Sequence, residues 1–218
     1  MPPTDPISLT YRIALGVLTP VVRWWGRLEV VGLENLPAEG PLLIAGNHDS
    51  YWDPVAIGIA AIKRRQIRAL AKAELWKFPG LAPILNGMGQ IPIHRGKGDV
   101  QALETAISEL RRGACIGIFP EGTRSLGRTL PARSGIGRLA EAVPEARVCC
   151  VAVSGTVDVP RFPKRPRIRV EFFIPESGER VAGEKPSEFA QRLLDEIRSR
   201  VPPVPAGRRP KQRQRQAA

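Results

Sequence analysis

Seven short β-rich runs alternate along this chain with stretches of helical periodicity, and that alternation limits the available folds more than any other feature. The runs are LEVV (28–31), PLLIAG (41–46), IRALA (67–71), QIPIH (90–94), CIGIF (115–119), VCCVAVS (148–154) and RIRVEFFI (167–174). Each has the length and apolar character of a buried strand rather than of a helix. After Asp99, a plausible N-cap, Val100, Leu103, Ile107 and Leu110 recur on one helical face and Gly113 closes it. From Ser187 to Arg200, Phe189, Leu193 and Ile197 recur at helical spacing. The expectation is an α/β fold, a single domain with a central, mostly mixed β-sheet flanked by helices. With 218 residues, 43% of them hydrophobic, the chain can bury one substantial core. The expected boundaries are an N-terminal helix within 1–27, a main domain over 28–200 and a disordered basic tail over 201–218, where VPPVPAGRRPKQRQRQAA has little to bury.

Two readings compete for the N-terminal helix. Wound at about 100° per residue, Arg12, Gly16, Thr19, Arg23 and Arg27 share an arc of about 80°. The other side carries Ile13, Val17, Leu18, Val21, Val22, Trp24, Trp25 and Leu28. A basic arc opposite a broad apolar face with two tryptophans fits an amphipathic helix lying in a membrane interface. A core-packing helix bent at Pro20 fits the same residues. No run reaches the roughly 18 apolar residues of a spanning helix.

The formal net charge of +12 points to an anionic partner, which could be nucleic acid, an anionic membrane or a phosphorylated substrate. Three cysteines, two of them adjacent in an apolar run, argue against a disulfide framework and for a reducing compartment. With two histidines and no spaced ligand pairs, no metal site is expected.

Three short segments carry the chemistry. In NHDSYWDP (47–54), His48 and Asp53 lie five residues apart, about 140° on a continuous helix, so they can meet only across a turn. Asp53 before Pro54 reads as an N-cap and first helical position. An imidazole folded back on a carboxylate there gives a base whose tautomer is fixed, while the plainer alternative leaves Asp53 as a cap and His48 as a polar loop residue. FPEGTRS (119–125) ends an apolar run in a turn, with Gly122 permitting close backbone approach and Thr123, Arg124 and Ser125 able to donate to phosphate oxygens. A Glu121 to Arg124 ion pair would be its plainer role. GQIPIHR (89–95) delivers Arg95 to the edge of a Gly-rich loop, a second candidate phosphate clamp.

In this order and separation the segments resemble the glycerolipid acyltransferase family, which includes the 1-acylglycerol-3-phosphate acyltransferases. NHDSYWD matches its Asn-His-x4-Asp block, GQIPIHR resembles the second block, FPEGTRS matches the third, and VAVSGT (151–156) is similar to the fourth, with Ala152 where the family usually has Pro. The resemblance implies transfer of a fatty acyl group from an acyl thioester, acyl-CoA or acyl carrier protein, to a lysophospholipid hydroxyl. 1-Acylglycerol-3-phosphate is the expected acceptor and phosphatidic acid the product. It implies His48 as general base, Asp53 as its orienting partner, and Glu121, Gly122 and Arg124 at the acceptor. Arg95 and Lys72 are further candidates there, and no cofactor is implied. The chain lacks a G-x-S-x-G elbow, so Ser50 reads as a loop-bonding residue and transfer as direct. The implied setting is peripheral or monotopic attachment to the cytoplasmic side of an anionic membrane. A basic nucleic-acid-binding module, suggested by RFPKRPRIR (161–169) and the tail, is the rival from another class.

Overall fold

Leu42 and Ile44 belong to one buried apolar cluster and their neighbours Leu43 and Ala45 to another. A period of two with both sides apolar is what a central strand covered on both faces requires. In the computed structural model, which describes residues 6–94 and 99–205, this strand is β2 (Leu42–Gly46), and it sits in the middle of a seven-stranded sheet. The others are β1 (Glu29–Val31), β3 (Arg68–Lys72), β4 (Ile91–Ile93), β5 (Cys115–Ile118), β6 (Arg147–Ser154) and β7 (Arg169–Phe173), in the order β1-β7-β6-β2-β5-β3-β4. All neighbours run parallel except β6 and β7, which pair antiparallel with Cys150 opposite Phe173. The sheet is therefore mixed, as the sequence pattern indicated.

Because β2, β5, β3 and β4 are parallel, their C-terminal ends open on one edge of the sheet, where α/β folds place their sites. The loops carrying His48 and Glu121 leave from the adjacent strands β2 and β5. Residues 73 places apart in sequence thus become neighbours.

One face of the sheet is covered by α4 (Val100–Arg111), α5 (Gly135–Ala142) and α6 (Pro186–Arg200), which bury Ala106, Leu110, Leu139, Phe189, Leu193 and Ile197. Asp99 caps α4 by accepting from Ala102 N at 3.0 Å. The helical stretch expected from Ser187 begins one residue earlier, with α6 starting on Pro186 after Lys185. The eight-residue α5 was not foreseen. Its Gly135 and Gly137 weaken the helical signal, and Gly137 is needed because a Cβ there would lie 2.1 Å from the Pro186 carbonyl oxygen.

The opposite face is covered by α1 (Leu9–Thr19) and α2 (Asp53–Ala61), with α3 (Leu81–Gly87) beside α1. Ser8 caps α1 by accepting from Tyr11 N at 3.2 Å. The helix continues past Pro20 as a wider, π-type turn over Pro20–Trp25. That geometry accommodates a residue with no N–H to donate. Tyr11, Leu15 and Val22 enter the core, whereas Leu9, Ile13, Val17 and Trp24 remain 58% to 72% exposed. One stripe of this helix packs on the domain, as the core-packing reading expected, and a second apolar stripe faces outward. Most of the expected tail, residues 206–218, lies outside the described residues.

Candidate active site

The loop after β2 is held from three directions. Asn47 continues the pairing with β6, accepting from Val153 N at 2.8 Å and donating to Val153 O at 2.8 Å. The Ser50 hydroxyl donates to Thr156 O at 3.2 Å. Ser125 N donates to His48 O at 2.7 Å, which ties the loop to FPEGTRS. Glycine at 46 lets the chain pass Val151, since a Cβ there would meet Val151 Cγ1 at 2.9 Å.

His48 Nδ1 lies 3.0 Å from Asp53 Oδ2. The same oxygen accepts from Asp49 N at 2.6 Å and Ser50 N at 2.7 Å, and Thr156 Oγ1 donates to Asp53 Oδ1. Asp53 is fully buried and accepts a bond on each of its oxygens. A carboxylate facing Nδ1 accepts its proton and leaves the lone pair on Nε2, which bonds to no described residue. Phe119 stacks on the imidazole, with ring centres 4.3 Å apart and planes at 15°. Together these contacts fix the ring orientation and leave Nε2 without a partner among the described residues. Asp53 is itself the first residue of α2, so the helix begins one residue earlier than the sequence suggested, and Trp52 occupies the N-cap. Its side chain caps the preceding loop instead of the helix.

Glu121 does not pair with Arg124. Its Oε2 accepts from His48 N at 2.7 Å, and its Oε1 accepts two bonds from Arg198 on α6, one of them at 2.9 Å. Arg198 also reaches Asp49 at 2.7 and 3.2 Å and the Ser125 hydroxyl at 2.7 Å. Ser125 is fully buried and donates to Asp49. One guanidinium therefore clamps the residue after His48 to the carboxylate that holds the His48 amide. Burial pushes both carboxyls up. At Asp49 the bonds from Arg198 and Ser125 outweigh burial and hold it below the ordinary carboxylate range, whereas Glu121 stays above it. Arg198 was missed by sequence reasoning. The one local hint is its place four residues after the buried Leu194, at the margin of the apolar stripe of α6.

The other candidates divide. Arg124 lies over the ring of the exposed Tyr51, 3.6 Å from its centre, and donates to the Tyr51 hydroxyl at 2.9 Å. Thr123 is exposed on the same loop. Gly122 adopts φ +67°, and a Cβ there would meet Arg133 Cδ at 2.5 Å, so in this structure a protein side chain and not a ligand makes the close approach. Lys72, at the end of β3, is half exposed and pairs with Glu74 at 3.4 Å. Arg95 lies outside the described residues. Beside the third block, Phe119, Gly122 and Thr123 border a cavity of about 390 Å³ between α4 and α5.

Among the described residues no group of three or more His, Cys, Asp or Glu could hold a metal ion. Cys115, Cys149 and Cys150 are free and buried, and desolvation pushes the Cys149 thiol up to about 12, so it offers no thiolate nucleophile. What remains is a buried, oriented imidazole that can take a proton from a bound hydroxyl.

Residues 27–161 match the family model described as Acyltransferase. The chain is 28% identical over 131 residues to the 1-acyl-sn-glycerol-3-phosphate acyltransferase of Bacillus subtilis, covering 60% of this chain and 65% of that one. It is 32% identical over 207 residues to the lyso-ornithine lipid O-acyltransferase of Pseudomonas aeruginosa, covering 88% and 77%. The crystal structure of the 1-acyl-sn-glycerophosphate acyltransferase PlsC from Thermotoga maritima shares the fold, with a TM-score of 0.60 at 22% identity over 86% of this chain and 82% of that one. The chain thus spans somewhat less than two thirds of the Bacillus subtilis protein and about three quarters of the Pseudomonas aeruginosa one.

Proposed function

This chain belongs to the acyltransferase family, and from that premise we propose that it moves a fatty acyl group from an acyl thioester to the hydroxyl of a lysophospholipid. The acceptor is 1-acylglycerol-3-phosphate and the product phosphatidic acid. The observation that carries this reading is the His48–Asp53 pair at 3.0 Å, with Nε2 left free by every described residue.

His48 Nε2 removes the proton as the acceptor hydroxyl attacks the thioester carbonyl. Asp53 keeps the proton on Nδ1 and stabilises the imidazolium. The tetrahedral intermediate collapses, the thiolate leaves, and the imidazolium returns the proton to sulfur. No enzyme nucleophile or cofactor enters. The donor is acyl-CoA or acyl carrier protein. Arg124 and Thr123, on the exposed side of the third block, are proposed to hold the acceptor phosphate, with Arg95 and Lys72 as further contributors. Glu121, Gly122 and Ser125 act there through the shape of the loop, because Glu121 and Ser125 spend their side chains on Arg198, His48 and Asp49.

The exposed stripe of Leu9, Ile13, Val17 and Trp24, flanked by Arg12 and Arg23, supports docking on an anionic membrane, for which the cytoplasmic side is proposed. Among the described residues no helix is long and apolar enough to cross a membrane.

A second reading keeps the chemistry and changes the acceptor. The lyso-ornithine lipid O-acyltransferase resembles this chain over a larger share of its length than the Bacillus subtilis protein does. An acyl-transfer assay with 1-acylglycerol-3-phosphate, lyso-ornithine lipid and glycerol 3-phosphate, each against acyl-CoA and acyl carrier protein donors, decides between them. Transfer to none of these would overturn both readings.

A further inference from the structure

The segment RFPKRPRIR was singled out for its charge, and the proposed chemistry leaves it unused. In the fold it connects the fourth block to β7 and folds back over the end of the N-terminal helical segment. Trp25 Nε1 donates to Val159 O at 3.3 Å, and Arg27 donates to Pro166 O at 3.1 Å and to Arg165 O at 3.0 Å. Arg165 returns bonds to the carbonyls of Trp24 and Trp25. Loop and helix end therefore form one braced unit, although about 140 residues separate them in sequence.

What this unit displays is unusual for a loop. Phe162 is 83% exposed, and its ring stacks on Trp25, centres 5.6 Å apart and planes at 17°. Next to Trp25 in the chain, Trp24 is 69% exposed. Lys164 is exposed and has no acidic partner among the described residues, and Arg161 pairs only loosely with Asp158 at 3.6 Å. Large apolar side chains held outward on a rigid brace lose little entropy on burial, and cations beside them suit a surface of negative charge.

We propose that residues 161–165 form a second membrane-docking element, in which Phe162 inserts beside Trp24 into an anionic lipid surface while Lys164 and Arg161 meet its headgroups. This rests on the membrane docking proposed above for the N-terminal stripe. Lipid is favoured over nucleic acid by the neighbouring apolar stripe of Leu9, Ile13 and Val17, which offers bases and phosphates nothing to pair with. It is favoured over a folded protein partner because the apolar groups project singly outward rather than lining a pocket. Two anchoring elements that share one brace would also fix the orientation of the domain on the membrane.

The test is co-sedimentation of the full chain with vesicles of mixed phosphatidylglycerol and phosphatidylcholine. Phe162→Ser combined with Lys164→Glu should weaken binding about tenfold or more. Of the single variants, the Lys164→Glu loss should shrink as salt is raised and the Phe162→Ser loss should persist, because only the first is screened. An unchanged thermal midpoint and unchanged transfer to a soluble short-chain acceptor without vesicles show that the fold and the site are intact. Failure of the wild type in that soluble assay would instead count against the proposed chemistry. Wild-type vesicle affinity in the folded double variant overturns the docking element. So does a loss confined to retention on duplex DNA, which would assign the loop to nucleic acid.

Discussion

Arg198 on α6 places a guanidinium nitrogen 2.7 Å from Asp49 Oδ2, so the residue after the proposed base is held by a helix that lies beyond the family match of residues 27–161. The same guanidinium bonds Glu121, whose other oxygen holds the His48 amide. The geometry of the base therefore depends on a side chain with no part in the chemistry.

Replacing the base tests the mechanism directly. His48→Ala should lower kcat/KM by 10² to 10⁴ or more, about 3 to 5 kcal/mol, while near-UV circular dichroism stays native. Asp53→Asn should also be severe, because an amide keeps only one acceptor oxygen and must turn its NH2 either on His48 Nδ1, Asp49 N and Ser50 N or on Thr156 Oγ1. Near-normal transfer by a folded His48→Ala protein would exclude general-base catalysis by this residue.

Removing Arg198 leaves two buried carboxylates without their cation. Arg198→Met should destabilise the fold by about 3 kcal/mol at neutral pH. The effect should depend on pH. With Arg198 present, Asp49 titrates below its ordinary value, so it contributes stability that is present above that value and lost as pH falls through its lowered one. Glu121 titrates above its ordinary value and gives no such acid-side loss. The gap in Tm between wild type and Arg198→Met should be widest near neutrality and close on acidification. A gap independent of pH would mean that Arg198 stabilises by packing alone.

Arg124 is separated from the buried network and stacks on Tyr51 instead. If it binds the acceptor phosphate, Arg124→Ala should cost about 2 to 4 kcal/mol in kcat/KM with 1-acylglycerol-3-phosphate and little with a neutral monoacylglycerol. Arg124→Lys should restore only part, since an ammonium lacks the two-pronged fork. Tyr51→Phe removes the 2.9 Å bond but keeps the stacking, and separates arginine positioning from phosphate binding. Equal losses on charged and neutral acceptors would give Arg124 a structural role in the loop.

The two N-terminal tryptophans should behave differently. Trp24→Ser, at an exposed position, should reduce vesicle binding with no change in Tm. Trp25→Ser removes the bond to Val159 O and the stacking on Phe162, and should lower Tm by several degrees as well. Identical effects of the two variants on Tm would remove the distinction between an outward stripe and a packed one.

Local pattern was enough for the strands of the sheet, and it showed how His48 and Asp53 could meet without deciding that they do. Strand periodicity is a property of consecutive side chains, and a five-residue separation ending at Pro54 admits contact only across a turn. The apolar residues around Trp24 and Trp25 were equally visible, but which of them face the core was not, because two apolar stripes on one helix look alike until a partner surface is present. Tertiary structure decided the rest. Thr156 reaches Asp53 because β6 lies against β2, and Glu121 reaches the His48 amide because β5 lies on the other side. Arg198 meets Asp49 across 149 residues because α6 packs over that part of the sheet. Strand order and helix placement follow from the combined burial of both faces of the sheet, a property of the whole chain that no short window of sequence contains.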